Sequence, residues 1–323
     1  MKSEDQNSNS RQPSKDGVSR RDALRMLAAT AASVILQGGA CQAHQAMQKM
    51  NTRVIPSSGE ELPVIGLGTW QSFDAGPSAA ERQPLEEVLA LFVKMGGRVV
   101  DSSPMYGRSE TVVGEIATKL GLQGSLFLAT KVWTTGKGAG VEQMERSRQQ
   151  LQAKRIDLMQ VHNLVDVDTH LAILRDWKRQ GRIRYLGITH YTASAYAEVA
   201  RLLSRESLDF VQINYSLLER EAEERILPLA QERGVAVIVN RPLGGGGLFS
   251  RVRGQQLPAW AGEFDCRSWA QFFLKWVIAH PAVTCAIPAT SNVRHLEENM
   301  QAGLGRLPNA VERRRMAEAI AAL

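Results

Sequence analysis

Arg98-Val99-Val100-Asp101-Ser102-Ser103-Pro104-Met105-Tyr106-Gly107, followed by Arg108 and the run Ser109 to Leu120, decides the fold. A β-rich apolar run ends in an acid, and a proline-bearing turn follows. The next segment then places Val112, Val113, Ile116 and Leu120 on one side of a helix, with Ser109 as its expected N-cap. The unit is strand, polar turn, helix, and it recurs.

Working outward, β-rich apolar runs appear at Ile65–Trp70, Arg98–Ser103, Leu126–Val132, Ile156–Asn163, Tyr185–Tyr191, Phe210–Ser216, Ala236–Leu243 and Thr284–Ser291. Between and after them, helical spacing predicts helices at Pro84–Met95, Ser109–Leu120, Val141–Ala153, Thr169–Gln180, Ala193–Ser204, Glu221–Arg233, Ser268–His280 and Asn292–Ala302. Strand followed by helix eight times, with right-handed crossovers, predicts an α/β fold of the (β/α)8 TIM-barrel type. An open doubly wound sheet is disfavoured because no Gly-x-Gly-x-x-Gly turn follows the first strand. Thr52–Ile55 and Leu62–Ile65, joined by a Gly-bearing turn, predict a β-hairpin that plugs the barrel bottom, and Pro308–Leu323 an extra outer helix.

The chain has 323 residues, 44% hydrophobic and 22% charged, enough for a large core. Its net charge of +6 is concentrated at the front, and residues 51–323 carry only +3, which gives no reason to expect nucleic acid. Cys41, Cys266 and Cys285 are too few and scattered for a disulfide framework or a thiolate metal site, and no metal is expected. Residues 1–18 read as a polar, disordered leader and 19–50 as signal and linker, leaving the barrel to 51–323. Ser19-Arg20-Arg21-Asp22 ahead of the short apolar run Met26–Leu36 resembles a twin-arginine export signal. It implies use of that export machinery and a periplasmic or exported location. A cytoplasmic location follows if the signal is not used, and small residues before Cys41 raise lipid anchoring there as a further expectation.

In such a barrel, chemistry sits at the carboxyl ends of the strands. Asp101 ends the second run with Tyr106 just beyond, Lys131 ends the third and His162 the fourth. A tyrosine is a feeble acid at neutral pH, and a lysine cation beside it favours the phenolate. Asp101 would hold Lys131 charged and oriented, so that the two together lower the Tyr106 pKa, while His162 would orient a carbonyl oxygen. A phenol giving its proton to oxygen while hydride arrives at carbon is a carbonyl reduction, and the hydride must come from a cofactor.

These residues, together with Gly66-Leu67-Gly68-Thr69-Trp70, Gln212 and Ile287-Pro288-Ala289-Thr290-Ser291-Asn292, resemble the aldo-keto reductases over about residues 52–323. The resemblance implies NADP(H)-dependent reduction of an aldehyde or ketone, with NADP(H) ahead of NAD(H), by a protein that is a monomer. It places Thr69 and Trp70 at the nicotinamide mouth, and Thr189, His190 and Gln212 around the carboxamide. Asn240 stands where many members stack a tyrosine on the nicotinamide, with Arg241 nearby. Leu243, Gly244 and Gly245 begin a glycine-rich loop through Gly247 suited to a pyrophosphate. The loop opens a connection to Cys266 long enough to be a lid. Thr290 and Ser291 open a helix whose free N–H groups favour an anion. Ala289 and His295 replace the Lys and Arg common in NADP-preferring members, so Arg294 is the expected 2′-phosphate partner, with Glu298 and Asn299 near the adenine.

Trp70, Met105, Trp133 and Asn163 are the candidate lining of the substrate pocket, joined by Phe73 and Trp260, and suit a small apolar carbonyl compound. A second reading stays open: an exported binding protein or redox sensor that retains NADP with little turnover.

Overall fold

The computed structural model describes residues Lys49–Leu323. The leader, the twin-arginine resemblance and Cys41 lie outside the described residues. Eight parallel strands follow one another in chain order around a sheet: β3 (Leu67–Gly68), β4 (Val99–Asp101), β5 (Phe127–Val132), β6 (Ile156–His162), β7 (Ile183–Thr189), β8 (Phe210–Asn214), β9 (Ala236–Asn240) and β10 (Val283–Ala286). Isolated parallel bridges from Ile65 to Ala286 and from Gly68 to Ala289 bring the last strand back to the first. The result is the expected (β/α)8 barrel. Except for β7, which is displaced two residues toward its start, the strands are shorter than the β-rich runs that announce them, and most stop pairing before the chain turns out to form the rim.

Helices α1 (Ala79–Lys94), α2 (Ser109–Lys119), α3 (Lys137–Gln150), α4 (Val167–Arg179), α5 (Tyr196–Arg205), α6 (Ile226–Glu232), α7 (Gly247–Arg251), α8 (Trp269–Ile278) and α9 (Val293–Gln301) surround the sheet, and α10 (Ala310–Ala321) closes the chain. Helix α1 starts five residues before Pro84, capped by the Ser78 side chain, which accepts from Glu81 N–H. Ser109 is not a cap. It is the first helical residue, and its hydroxyl donates to the carbonyl of Thr69 at 3.3 Å, tying α2 to the first rim loop. Asn309 and Glu312 form a reciprocal capping box that starts α10.

Alternation along the strands divides the interior into layers. Phe127, Leu158, Phe210 and Ala236 share one buried cluster with Ile55 and Leu62 of the hairpin formed by β1 (Thr52–Val54) and β2 (Glu61–Pro63). The hairpin therefore seals one end, where Tyr185 Oη donates to Glu60 at 2.8 Å and Arg184 pairs with the same carboxylate. Two and four residues further along the strands the inward positions turn polar: Lys131 above Ala129, Gln160 and His162 above Leu158, Gln212 and Asn214 above Phe210, and Asn240 above Ile238. The outward positions pack with the helices in a second, larger cluster.

Candidate active site

Asp101 is the last residue of β4 and Lys131 the fifth of β5, and both point into the polar layer with almost no exposure. Lys131 Nζ donates to Asp101 Oδ2 at 2.6 Å and to the carbonyl of Ser102 at 2.7 Å. The other carboxylate oxygen accepts from Gln212 Nε2 at 2.8 Å and from Gln160 Nε2 at 3.3 Å. Thr69 Oγ1 lies 3.0 Å from the Asp101 carbonyl and 2.9 Å from Ser102 Oγ. A buried ion pair is retained at low cost only when the remaining lone pairs are met, and here neighbouring strands meet them.

Tyr106 stands on the turn after β4, with the Lys131 ammonium 4.9 Å from its ring centroid. The turn is fixed from the side: Gly107 adopts φ +58°, a Cβ there would lie 2.3 Å from the Asp74 carboxylate, and Arg108 N–H donates to that carboxylate at 2.9 Å. Burial pushes the Lys131 amine down, but the Asp101 carboxylate overrides it and the amine ends above its ordinary value. For Tyr106 the structure corrects the expected direction. Burial raises the phenol, Lys131 lowers it as expected, and Asp101 raises it again, so the net position lies above the ordinary value of 10.0. The phenol therefore keeps its proton at neutral pH, and the Lys131 cation acts on the phenolate only when a proton leaves.

His162 ends β6, edge-on to Tyr106 with centroids 5.9 Å apart. Burial first, then Lys131 and His190, push its imidazole down to about 2, so it is neutral across the physiological range. Ser103 Oγ lies 3.0 Å from Nδ1, and a Ser103 hydroxyl donating there leaves the proton on Nε2. Sequence reasoning did not single out Ser103, whose only signal was its place in the polar turn Asp101-Ser102-Ser103.

The far side of the rim is less self-contained. Register sets His162 beside Thr189, Thr189 beside Gln212, and Asn214 beside Asn240. Gln212 is bound to Asp101 and also accepts from Thr189 Oγ1 at 3.1 Å, so it serves the ion pair as well as any carboxamide. His190 is half-buried and stacks on its neighbour Tyr191. Asn240 Nδ2 donates to the His190 carbonyl at 3.1 Å, while its Oδ1 has no partner. Asn214 Nδ2, Asn163 Oδ1, Gln160 Oε1 and Arg241 Nε are likewise buried without hydrogen-bond partners. Arg241 Nε still lies 3.7 Å from Glu219 Oε2, but orphaned buried polar atoms are costly, and the other four along one rim fit a polar ligand that supplies donors and acceptors.

Two expectations for the cradle change. The N–H groups of Gly244, Gly246 and Gly247 close turns onto Arg241, Leu243 and Gly244, so the glycine loop presents far less free backbone than its composition suggests. Arg241 and Gly245 still meet there: Arg241 has φ 50°, and a Cβ on Gly245 would sit 3.2 Å from its guanidinium. At α9 the Asn292 side chain accepts from the N–H of Arg294 and His295, and Asn292 N–H donates to Thr290 Oγ1, so that helix start is already capped. Ser291, Arg294 and His295 are exposed, Glu298 is half-buried and Asn299 is buried.

Trp70, Met105 and Trp133 are exposed, at 51%, 39% and 42%, on the turns after three successive strands. Asn163 has φ 52°, as Leu164 and Asp166 are also left-handed, and Asp166 braces that loop by accepting from Gly136 N–H at 2.7 Å. Phe73 and Trp260 do not line the mouth. Phe73 is fully buried in the core, and Trp260 packs on Phe264 and Phe272 with Arg315 over its ring. The long connection from Gly244 is folded: α7 and a 3-10 turn at Ala259–Phe264 bury Leu248, Ala261 and Phe264, and it is no open lid.

Comparison with known proteins gives the family and the fold. The profile of the Aldo/keto reductase family matches residues 64–314. The methylglyoxal reductase YeaE of Escherichia coli is 30% identical over 261 residues, covering 77% of this chain and 89% of that protein. The NADH-specific methylglyoxal reductase of the same organism is 27% identical over 230 residues, covering 62% and 69%. A crystal structure of an aldo/keto reductase from Klebsiella pneumoniae with NADP and acetate superposes with a TM-score of 0.69 at 26% identity, covering 85% of this chain and 96% of that one.

Proposed function

This chain belongs to the aldo/keto reductase family and is an NAD(P)H-dependent oxidoreductase, and from that premise we propose that it reduces a small apolar aldehyde or ketone with Tyr106 as general acid. The observation that carries the reading is the buried Lys131 ammonium, 2.6 Å from Asp101 and 4.9 Å from the Tyr106 ring centre, with neutral His162 edge-on to the same ring. The bound cofactor supplies hydride to the carbonyl carbon. As the C=O π pair moves to oxygen, His162 Nε2–H holds that oxygen in place and Tyr106 Oη gives it a proton. Lys131 stabilises the phenolate left behind, Asp101 keeps Lys131 charged, and solvent returns the proton. Trp70, Met105 and Trp133 hold the apolar part of the substrate.

The cradle residues fit a nicotinamide dinucleotide. Asn240, Asn214 and Thr189 would hold a carboxamide, and Arg241, beside Glu219 at the glycine loop, would offer its guanidinium to a phosphate charge. NADPH is preferred through Thr290, Ser291 and Arg294, the exposed cation nearest that helix start. The protein acts as a monomer, and its leader directs it to the twin-arginine route. Purified protein with NADPH and 4-nitrobenzaldehyde is expected to oxidise the cofactor, and Tyr106→Phe to lose roughly 10²- to 10⁴-fold in kcat with NADPH binding intact. Unchanged turnover in that variant refutes the assigned acid, and tight binding without turnover in the parent selects the sensor reading. Equal Kd for NADPH and NADH refutes the preference.

A further inference from the structure

Among the described residues three carboxylates are buried: Asp101, Glu110 and Asp209. Asp101 is paired with Lys131 and Asp209 with Lys178. Glu110, on the first turn of α2 and 1% exposed, has no ion-pair partner. It accepts hydrogen bonds only from hydroxyls, those of Thr130 on β5 and of Ser147 on α3, the latter at 3.0 Å. A buried carboxylate met only by neutral donors is a poor anion. Burial pushes Glu110 up to about 7, against the pull of those two hydroxyls and of Lys131, the one cation that acts on it. Thr130 and Lys131 are adjacent on β5 and face opposite sides, so Glu110 sits behind the strand whose front carries the catalytic amine. Several other charges on the packed elements pair with one another: Arg82 with Glu115, Lys119 with Glu86, Arg146 with Glu142, and Arg148 with Glu145; Lys94, Arg108 and Lys137 form no ion pair among the described residues.

We propose that Glu110 is a charge-tuning positioning residue, a switchable counter-charge behind β5 that sets, through Lys131, how readily Tyr106 gives up its proton. The inference rests on the roles proposed for Tyr106 and Lys131. When Glu110 is ionised, its negative charge offsets part of the field that Lys131 casts on Tyr106, and the phenolate is harder to form. When it takes a proton from solvent, that field is restored. Carbonyl reduction is therefore faster on the acidic side of the Glu110 midpoint.

The test is kcat for 4-nitrobenzaldehyde reduction at saturating NADPH, followed from about pH 5.5 to about pH 9. The parent is expected to lose roughly two- to fivefold as pH rises through a midpoint near that of Glu110. Glu110→Gln, which keeps the size and hydrogen-bonding capacity, is expected to remove this limb and stay at the acidic plateau. Ser147→Ala removes a donor to the charged form and is expected to move the midpoint to higher pH, with KM for NADPH unchanged. A parent without the limb, or a Glu110→Gln profile that keeps it, overturns the proposal. If Glu110→Gln does not fold, an unmoved midpoint in Ser147→Ala overturns it. A purely structural Glu110 would depress turnover at every pH alike. Failure of the underlying reading shows separately, as activity surviving in Tyr106→Phe.

Discussion

The strand ends on one side of the barrel rim, β4 to β6, differ from those on the other, β8 and β9. On the first side Asp101, Lys131, His162 and Ser103 satisfy one another within the protein. On the second, Asn214 and Asn240 hold buried polar atoms without hydrogen-bond partners, as Gln160 does on the first, and Arg241 Nε lies 3.7 Å from Glu219. One half is organised before any ligand arrives, whereas the other is completed by one. Proton donation needs geometry fixed in advance, because reorganisation at the moment of reaction adds to the barrier. A cradle gains by leaving its donors and acceptors open, because each is then worth a hydrogen bond to whatever enters.

The largest expected effect breaks the closed half. Lys131→Met strands the Asp101 carboxylate in the interior, and a loss of about 3–5 kcal/mol in unfolding free energy is expected by denaturant titration, together with loss of turnover. A loss below about 1 kcal/mol would show that the pair is not the buried, interdependent unit described here. A smaller effect of opposite character is expected in the open half. Asn240→Ala removes one bond to the His190 carbonyl and an atom with no partner, so unfolding free energy should change by less than about 1 kcal/mol. Its cofactor Kd, read by fluorescence titration, should rise roughly five- to tenfold. If stability falls and affinity does not, Asn240 belongs to the closed half.

The smallest effect is a pH dependence that comes from two groups of opposite sign. His162 is depressed in the folded chain from 6.5 to about 2. The unfolded state therefore binds the extra proton below about pH 6.5, and stability is lost as pH falls. Glu110 is raised from 4.5 to about 7, so its contribution is complete below about pH 4.5 and is lost as pH rises through about 7. Melting temperatures of the parent and of Glu110→Gln should accordingly converge in acid and separate on the alkaline side, with the variant the more stable. Parallel curves would remove Glu110 from the titrating set.

Much of this was legible in the sequence for a physical reason. Strand ends in a barrel are both the functional rim and the points where an apolar run stops, so Asp101, Lys131 and His162 mark themselves as polar residues closing β-rich stretches. The layered interior follows from the same alternation. What could not be read depends on burial and on competition for hydrogen bonds. The Tyr106 phenol rises because desolvation and Asp101 together outweigh Lys131, and a list of charges does not show that balance. Asn292 takes the helix N–H groups expected to meet an anion, and three glycine N–H groups close their own turns. Ser103 and Glu110 escaped notice because a serine in a turn and a glutamate on a helix are ordinary until their neighbours across the fold are known. Trp260 resembled the mouth tryptophans by composition alone, and packing assigns it to the outer helices.

The hairpin beneath the barrel has a kinetic consequence. With Ile55 and Leu62 filling the lower interior and Glu60 tied to Arg184 and Tyr185, the hairpin end of the site is closed among the described residues, and the rim is the open end. Both reactants must use it, and so must both products. An occupant of the deeper seat would then have to enter before anything that covers it and leave after it, so order of addition, read from product-inhibition patterns, is expected to be fixed.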